Sequence, residues 1–201
     1  MAVYKLSDSS VKTKKSYPSF LAGNETFTPN SYESIATVTI TSGTQGSVTF
    51  SSIPQTYQHL EIRFLANNND TTGSGLGNVR CSGFFNSDTT ATNYYNHTLN
   101  GNGSSVASEA ENSAKWVGSA TRNSMIGPGI SVASIFDYTN TNKYKTTRAM
   151  WGWENNDTAG NVRLVSGLWS NTAAITSITI TPESGSFKAY SQFALYGIKG
   201  V

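Results

Sequence analysis

His59-Leu60-Glu61-Ile62-Arg63-Phe64 is the stretch on which the fold turns. Leu60, Ile62 and Phe64 fall on one side of an extended chain and His59, Glu61 and Arg63 on the other, because successive side chains of a strand point to opposite faces. The run predicts a strand with one face in a core and one in water. The same period-2 pattern precedes it: Ala36, Val38 and Ile40 alternate with Thr37, Thr39 and Thr41, and Val48 and Phe50 with Ser47, Thr49 and Ser51. Gly43 to Gly46 between these two segments supply turn residues, so they read as a hairpin.

Further strands are expected at Val79 to Phe85, Tyr94 to Leu99, Ile130 to Tyr138, Arg148 to Trp153, Val162 to Trp169, Ile175 to Thr181 and Tyr190 to Ile198. The stretches between them, Asn67 to Asn78, Gly101 to Ser113, Thr139 to Thr146 and Glu154 to Gly160, are rich in Asn, Gly, Ser, Thr and Asp and read as loops. Ser105 to Trp116 is the one segment with helical character, through Ala107, Ala110 and Ala114, although its serines weigh against a helix. Ten short strands with polar connections, and no repeat at a fixed period, predict an all-β protein. The expected form is an antiparallel β-sandwich, with a jelly roll as the first choice over a barrel.

The chain has 201 residues, enough for one sandwich that buries about 70% of its unfolded surface without staples. Its single cysteine, Cys81, rules out an intrachain disulfide framework and a multi-cysteine zinc site. Only 13% of residues are charged and the formal net charge is +2, too weak a field for a phosphate backbone, so nucleic acid is not an expected partner. No apolar run reaches the roughly 18 residues of a membrane span or resembles a signal peptide, which predicts synthesis in the cytoplasm and no membrane insertion. The triplets at Asn24, Asn69, Asn96, Asn102 and Asn156 are then chance matches in an Asn- and Thr-rich chain rather than glycosylation sites.

Residues Met1 to Asn30 differ from the remainder. Lys5, Lys12, Lys14, Lys15, Pro18 and Pro29 fall here, and no alternation persists. Val3, Tyr4, Leu6, Tyr17, Phe20 and Leu21 are nevertheless more apolar side chains than a solvated tail carries, so residues 1–30 are expected to be an extended arm that docks on a partner, ahead of a sandwich domain at 31–201.

Residues that support catalysis are scarce. His59 and His97 are the only histidines, each in a strand-like segment. Cys81 reads as a small buried hydrophobe. The carboxylates open to a glycosidase role, Glu109, Glu111, Glu154, Asp157 and Glu183, are not fixed in pairs by any spacing. Asn67 to Asp70 and Asn155 to Asp157 offer oxygens to a calcium ion but lack the acidic spacing of a calcium loop, so no metal and no cofactor is expected. The chain is not expected to be an enzyme. Trp116, Trp151 and Trp153 are the candidate ligand contacts, since flat rings stack on sugar faces. Trp151 and Trp153 alternate by two and share a face, which fits a core position as well.

Seven phrases carry a resemblance: SYESIATVT from Ser31, VTFSSIP from Val48, YQHLEIR from Tyr57, HTLNGNGSS from His97, DYTNTNKYKTT from Asp137, WSNTAAITSITI from Trp169 and FALYGIKG from Phe193. Together they resemble, in order, a domain that recurs in tail fibres and other exterior structural proteins of tailed bacteriophages. The resemblance implies a jelly-roll-like sandwich on the virion exterior, often a homotrimer, without catalytic residues. It further implies that the N-terminal part attaches to other virion proteins of capsid or tail. Thirty residues are too few for a fibre shaft, which favours a short tail fibre, a tail-tip protein or a head decoration protein, with a host-surface glycan as the external partner. The competing expectations are a free-standing carbohydrate-binding module and a small polysaccharide depolymerase.

Overall fold

The computed structural model describes residues 32–72, 77–112, 115–122, 127–155 and 159–199. Among the described residues fourteen strands succeed one another: β1 (Tyr32–Thr39), β2 (Thr44–Gln45), β3 (Val48–Phe50), β4 (His59–Ala66), β5 (Asn78–Phe85), β6 (Tyr94–Gly101) and β7 (Val106–Asn112) in the first half. The second half holds β8 (Trp116–Thr121), β9 (Gly129–Phe136), β10 (Lys145–Glu154), β11 (Gly160–Trp169), β12 (Ile178–Pro182), β13 (Phe187–Lys188) and β14 (Gln192–Ile198). No helix among the described residues is long and apolar enough to cross a membrane.

An eight-stranded antiparallel sheet runs β1-β14-β4-β9-β10-β11-β6-β7, and a four-stranded sheet runs β3-β12-β5-β8. Eight of these strands pair as a chain folded double would pair: β1 with β14, β3 with β12, β4 with β9, and β5 with β8. Successive pairs fall in alternate sheets, which is the wiring of a jelly roll. Two hairpins are inserted into this frame, β6–β7 after β5 and β10–β11 after β9. Both join the larger sheet on the β9 side, in the order β10-β11-β6-β7, and double its width.

The decisive hexapeptide follows its pattern except at Glu61, which is buried under the side chains of Tyr32 and Arg63 that bond to it. Leu60, Ile62 and Phe64 are buried in the core, with Phe64 stacked on Phe193 at 5.1 Å between ring centres, while Arg63 is exposed. Strand β1 also alternates, but a bulge between Ser34 and Ala36 places both Ile35 and Ala36 against the core. Close packing of the two sheets depends on Gly118 of β8: a Cβ there would collide with the Phe64 ring and Ser131.

Two expectations need correction. The segments around Ala36–Ile40 and Val48–Phe50 are not a hairpin, because β1 pairs with β14 in one sheet and β3 with β12 in the other. Gly43, at φ +67°, turns the chain across from one sheet to the next, and Thr44–Gln45 pairs with Phe187–Lys188 on the way. Alternation and a glycine turn look the same whether a chain doubles back or changes sheet. The helical expectation over 105–116 also fails where the chain is described: Val106–Asn112 is the edge strand β7, paired along its length with β6. The ladder with β6 outweighs the modest helical preference of Ala107 and Ala110.

Candidate functional site

The carboxylates considered for catalysis are spread over the fold; Glu109, Glu111 and Glu183 are held by arginines, and Glu154 is exposed at the end of β10. Arg80 on β5 meets Glu111 at 2.9 Å and Glu183 at 3.2 Å, and Arg163 on β11 meets Glu109 at 3.4 Å. The Arg80–Glu111 pair ties the β7 edge to the smaller sheet, which is a structural role. Asp157 lies outside the described residues. His59 Nδ1 accepts the Asp137 N–H at 3.0 Å, and His97 is exposed on the outer side of β6. Cys81 is fully buried, and burial pushes its thiol pKa up, so it presents no thiolate.

The Asn67–Asp70 loop spends its oxygens on its own surroundings. Asn68 Oδ1 accepts the Asp70 N–H at 2.6 Å, Asn69 Oδ1 the Ser186 N–H at 2.7 Å, and the Asp70 carboxylate the Thr72 N–H at 2.8 Å and the Ser184 hydroxyl at 2.5 Å. These bonds hold the Asp70 pKa down to about 2, the Ser184 hydroxyl contributing most. The cluster clasps the loop to the β12–β13 connection, and among the described residues no group of acidic, His or Cys side chains is placed to hold a metal ion. The Asn155–Asp157 cluster lies mostly outside the described residues.

The tryptophans separate. Trp151 is 2% exposed and belongs to the core, where no ligand reaches it. Trp153, two residues further along the same face of β10, is half-buried and lines a cavity of about 370 Å3. The side chain of Trp116, and the anchoring residues Val3, Tyr4, Leu6, Tyr17, Phe20 and Leu21, lie outside the described residues.

The Trp153 cavity gathers Asn78 from the start of β5, Asn102 and Ser104 from the β6–β7 turn, and Ala159, Gly160, Asn161 and Arg163 from β11 and the turn before it. Trp153 and Asn161 are directly opposite in the β10–β11 ladder, so the hairpin fixes their spacing. Asn102 Oδ1 accepts the Ser104 and Ser105 N–H groups at 3.0 and 2.8 Å, which shapes the β6–β7 turn at the rim. Asn161 donates from Nδ2 to Asn100 Oδ1, while its own Oδ1 and the Trp153 Nε1 are buried without a partner. An aromatic ring bordered by amides and a hydroxyl has the chemistry to stack on a sugar ring and exchange hydrogen bonds with its hydroxyls. The volume suits a monosaccharide-sized group.

Of these residues the sequence singled out Trp153 alone as a ligand contact. Asn78, Asn102, Ser104 and Asn161 carry the same turn-forming composition as every other loop, and only the strand order brings β5, β6 and β11 to one corner. No family profile and no curated protein matches the chain.

Trp153→Ala is expected to lower affinity for a glycan selected on an array by tenfold or more, about 1.4 kcal/mol, with the melting temperature nearly unchanged. Titration calorimetry checks this, and equal affinity in the variant would remove Trp153 from the site.

Proposed function

We propose that the chain is an exterior structural protein of a tailed-bacteriophage particle, either a short tail fibre or tail-tip protein or a head decoration protein, with no catalytic role. Residues 1–30 attach it to other virion proteins, the jelly roll faces outward as part of a homotrimer, and the Trp153 cavity contacts a host-surface glycan. The observation that carries this reading is the resemblance of seven phrases, spread in order from Ser31 to Gly200, to the exterior domain of such particles. Three physical features support it. The polar surface is built from amides and hydroxyls rather than charge, Glu109, Glu111 and Glu183 are engaged by arginines, and the apolar spacing of the arm suits a docking segment.

Deleting residues 1–24 is expected to release the protein from particles assembled in its presence while circular dichroism retains the β spectrum and the melting temperature moves little. Western blotting of purified particles reads the result; undiminished incorporation of the truncated chain would refute anchoring by the arm.

A second reading, a free carbohydrate-binding module, is favoured by the Trp153 cavity alone. It shares the glycan and differs in the arm: a module binds its sugar equally well without residues 1–24 and is absent from particles altogether.

A further inference from the structure

We propose that the outward face of the eight-stranded sheet is the surface through which copies of this chain associate. The ladder register places its outward side chains in rows across the strands. One row runs Val132, Met150, Leu164 and Leu99; the next runs Leu65, Ile130, Gly152, Val162, Gly101 and Val106. Val132 is half-buried, and the other apolar members are well exposed, from 41% at Leu65 through 55% at Met150 and 58% at Ile130 to 75% at Val106. A face turned to water is expected to alternate in polarity with the buried one, as β1 does with its outward threonines. Here, across these two rows, six neighbouring strands present aliphatic side chains outward instead.

Size, charge and shape favour a second copy over another occupant. At these exposures the side chains show on the order of 600 Å2 of apolar surface, at or above the largest patch of an ordinary monomer. Two such patches in contact bury about 1,200 Å2 before any rim is counted, which is within the range of specific association. Charge on this face is sparse: Arg63, which lines one furrow, is paired with Glu61 at 2.6 Å and lies over the Tyr32 and Tyr196 rings, and Arg148 stands one row beyond Met150. The relief is self-complementary as well. Met150 and its neighbours form a ridge between two shallow furrows, one of about 380 Å3 beside Ala194 and Leu65, the other of about 510 Å3 between Leu164 and Ala110. The ridge of one copy fits a furrow of the next, a head-to-tail contact of the kind that closes as a ring of three, with side chains interdigitating as between facing sheets.

This inference deepens the homotrimer of the functional reading by naming its contact face, and it is tested apart from the virion, on the isolated full-length chain. Sedimentation velocity from about 1 to 100 µM covers the affinities that interfaces of this size reach. The expected mass is that of a trimer, three times 21.6 kDa. Met150→Asp and Leu164→Asp are each expected to return the monomer with an unchanged circular dichroism spectrum, since both side chains are already half in water. Should the charged variants misfold, Met150→Gln supplies the milder change and is expected to weaken association about tenfold. A wild-type chain that stays monomeric throughout, or folded variants that keep the wild-type mass, would overturn the proposal; the first result would leave the face to a different virion protein, and the second would move self-association to the arm or a strand edge.

Discussion

Replacing Trp169 by alanine is expected to destabilise the protein by about 3–5 kcal/mol, the range for removing a large buried aromatic. Trp169 ends β11 at 1% exposure, edge-on to Phe85 at 5.5 Å and stacked with Tyr94 at 6.5 Å. The three rings close one end of the sandwich, and their polar atoms tie that end together. The Trp169 indole N–H donates to Asp88 Oδ2 at 2.8 Å, and the Tyr94 hydroxyl donates to the Asp88 carbonyl at 2.9 Å while accepting the Phe85 N–H at 3.1 Å. Alanine therefore leaves a cavity among rings and strips a donor from a carboxylate. For a domain of this size the loss corresponds to roughly 10 °C in melting temperature, and a fall under about 2 °C would show that the end is not cooperative with the core.

The same carboxylate gives this end a pH signature. Burial opposes ionisation of Asp88, but hydrogen bonds from Asn93, Trp169 and the Thr90 N–H outweigh it and hold the pKa down to about 2. A carboxyl whose folded pKa lies below its usual value of 3.8 stabilises the fold fully above that value, and the contribution disappears as the pH falls through about 2. Asp70 acts in the same direction over the same window. Trp169→Phe, which keeps most of the apolar volume and loses the indole donor, is expected to cost about 1–2 kcal/mol at neutral pH and to show a shallower loss between pH 4 and 2.

What the sequence made legible is what depends on periodicity. His59 to Phe64, Ile130 to Phe136 and Val162 to Trp169 each show strand character in a few residues, because burial of one pleated face is a local property. Pairing is not local. The turn at Gly43 reads as the tip of a hairpin, yet β1 closes on β14, more than 150 residues away, and only the whole set of pairings marks the jelly roll. The candidate site shows the same division. Trp151 and Trp153 are equivalent by alternation. What separates them is how far β10 runs past the cover above it, so one is core and the other lines a cavity. The apolar outward rows are not legible for a different cause: Leu99 and Leu164 sit on strands far apart in sequence, and their adjacency exists only in the ladder.

Lys145 was the least legible residue of all, at the end of a stretch, Thr139 to Thr146, that reads as polar loop. It is fully buried at the start of β10, and its ammonium donates to the carbonyls of Asn140 at 2.6 Å, Lys143 at 3.1 Å and Thr172 at 2.9 Å. Burial, followed by the charge of Lys143, lowers its pKa. No carboxylate pairs with it among the described residues, so three backbone dipoles stand where a counter-ion would. One side chain thereby joins the β9–β10 loop to the β11–β12 loop. Replacing a buried ion pair with apolar residues is often harmless because both charges leave together. That remedy does not apply at Lys145, since the acceptors are backbone and remain. Lys145→Met keeps the length and apolar stem but orphans three inward carbonyls, at an expected cost of about 2–4 kcal/mol measured by urea unfolding. Lys145→Arg is expected to do little better, because a planar guanidinium does not present three donors from a point the size of an ammonium. A methionine variant within about 0.5 kcal/mol of wild type would mean that water replaces the ammonium without loss, and that the two loops are held by other contacts.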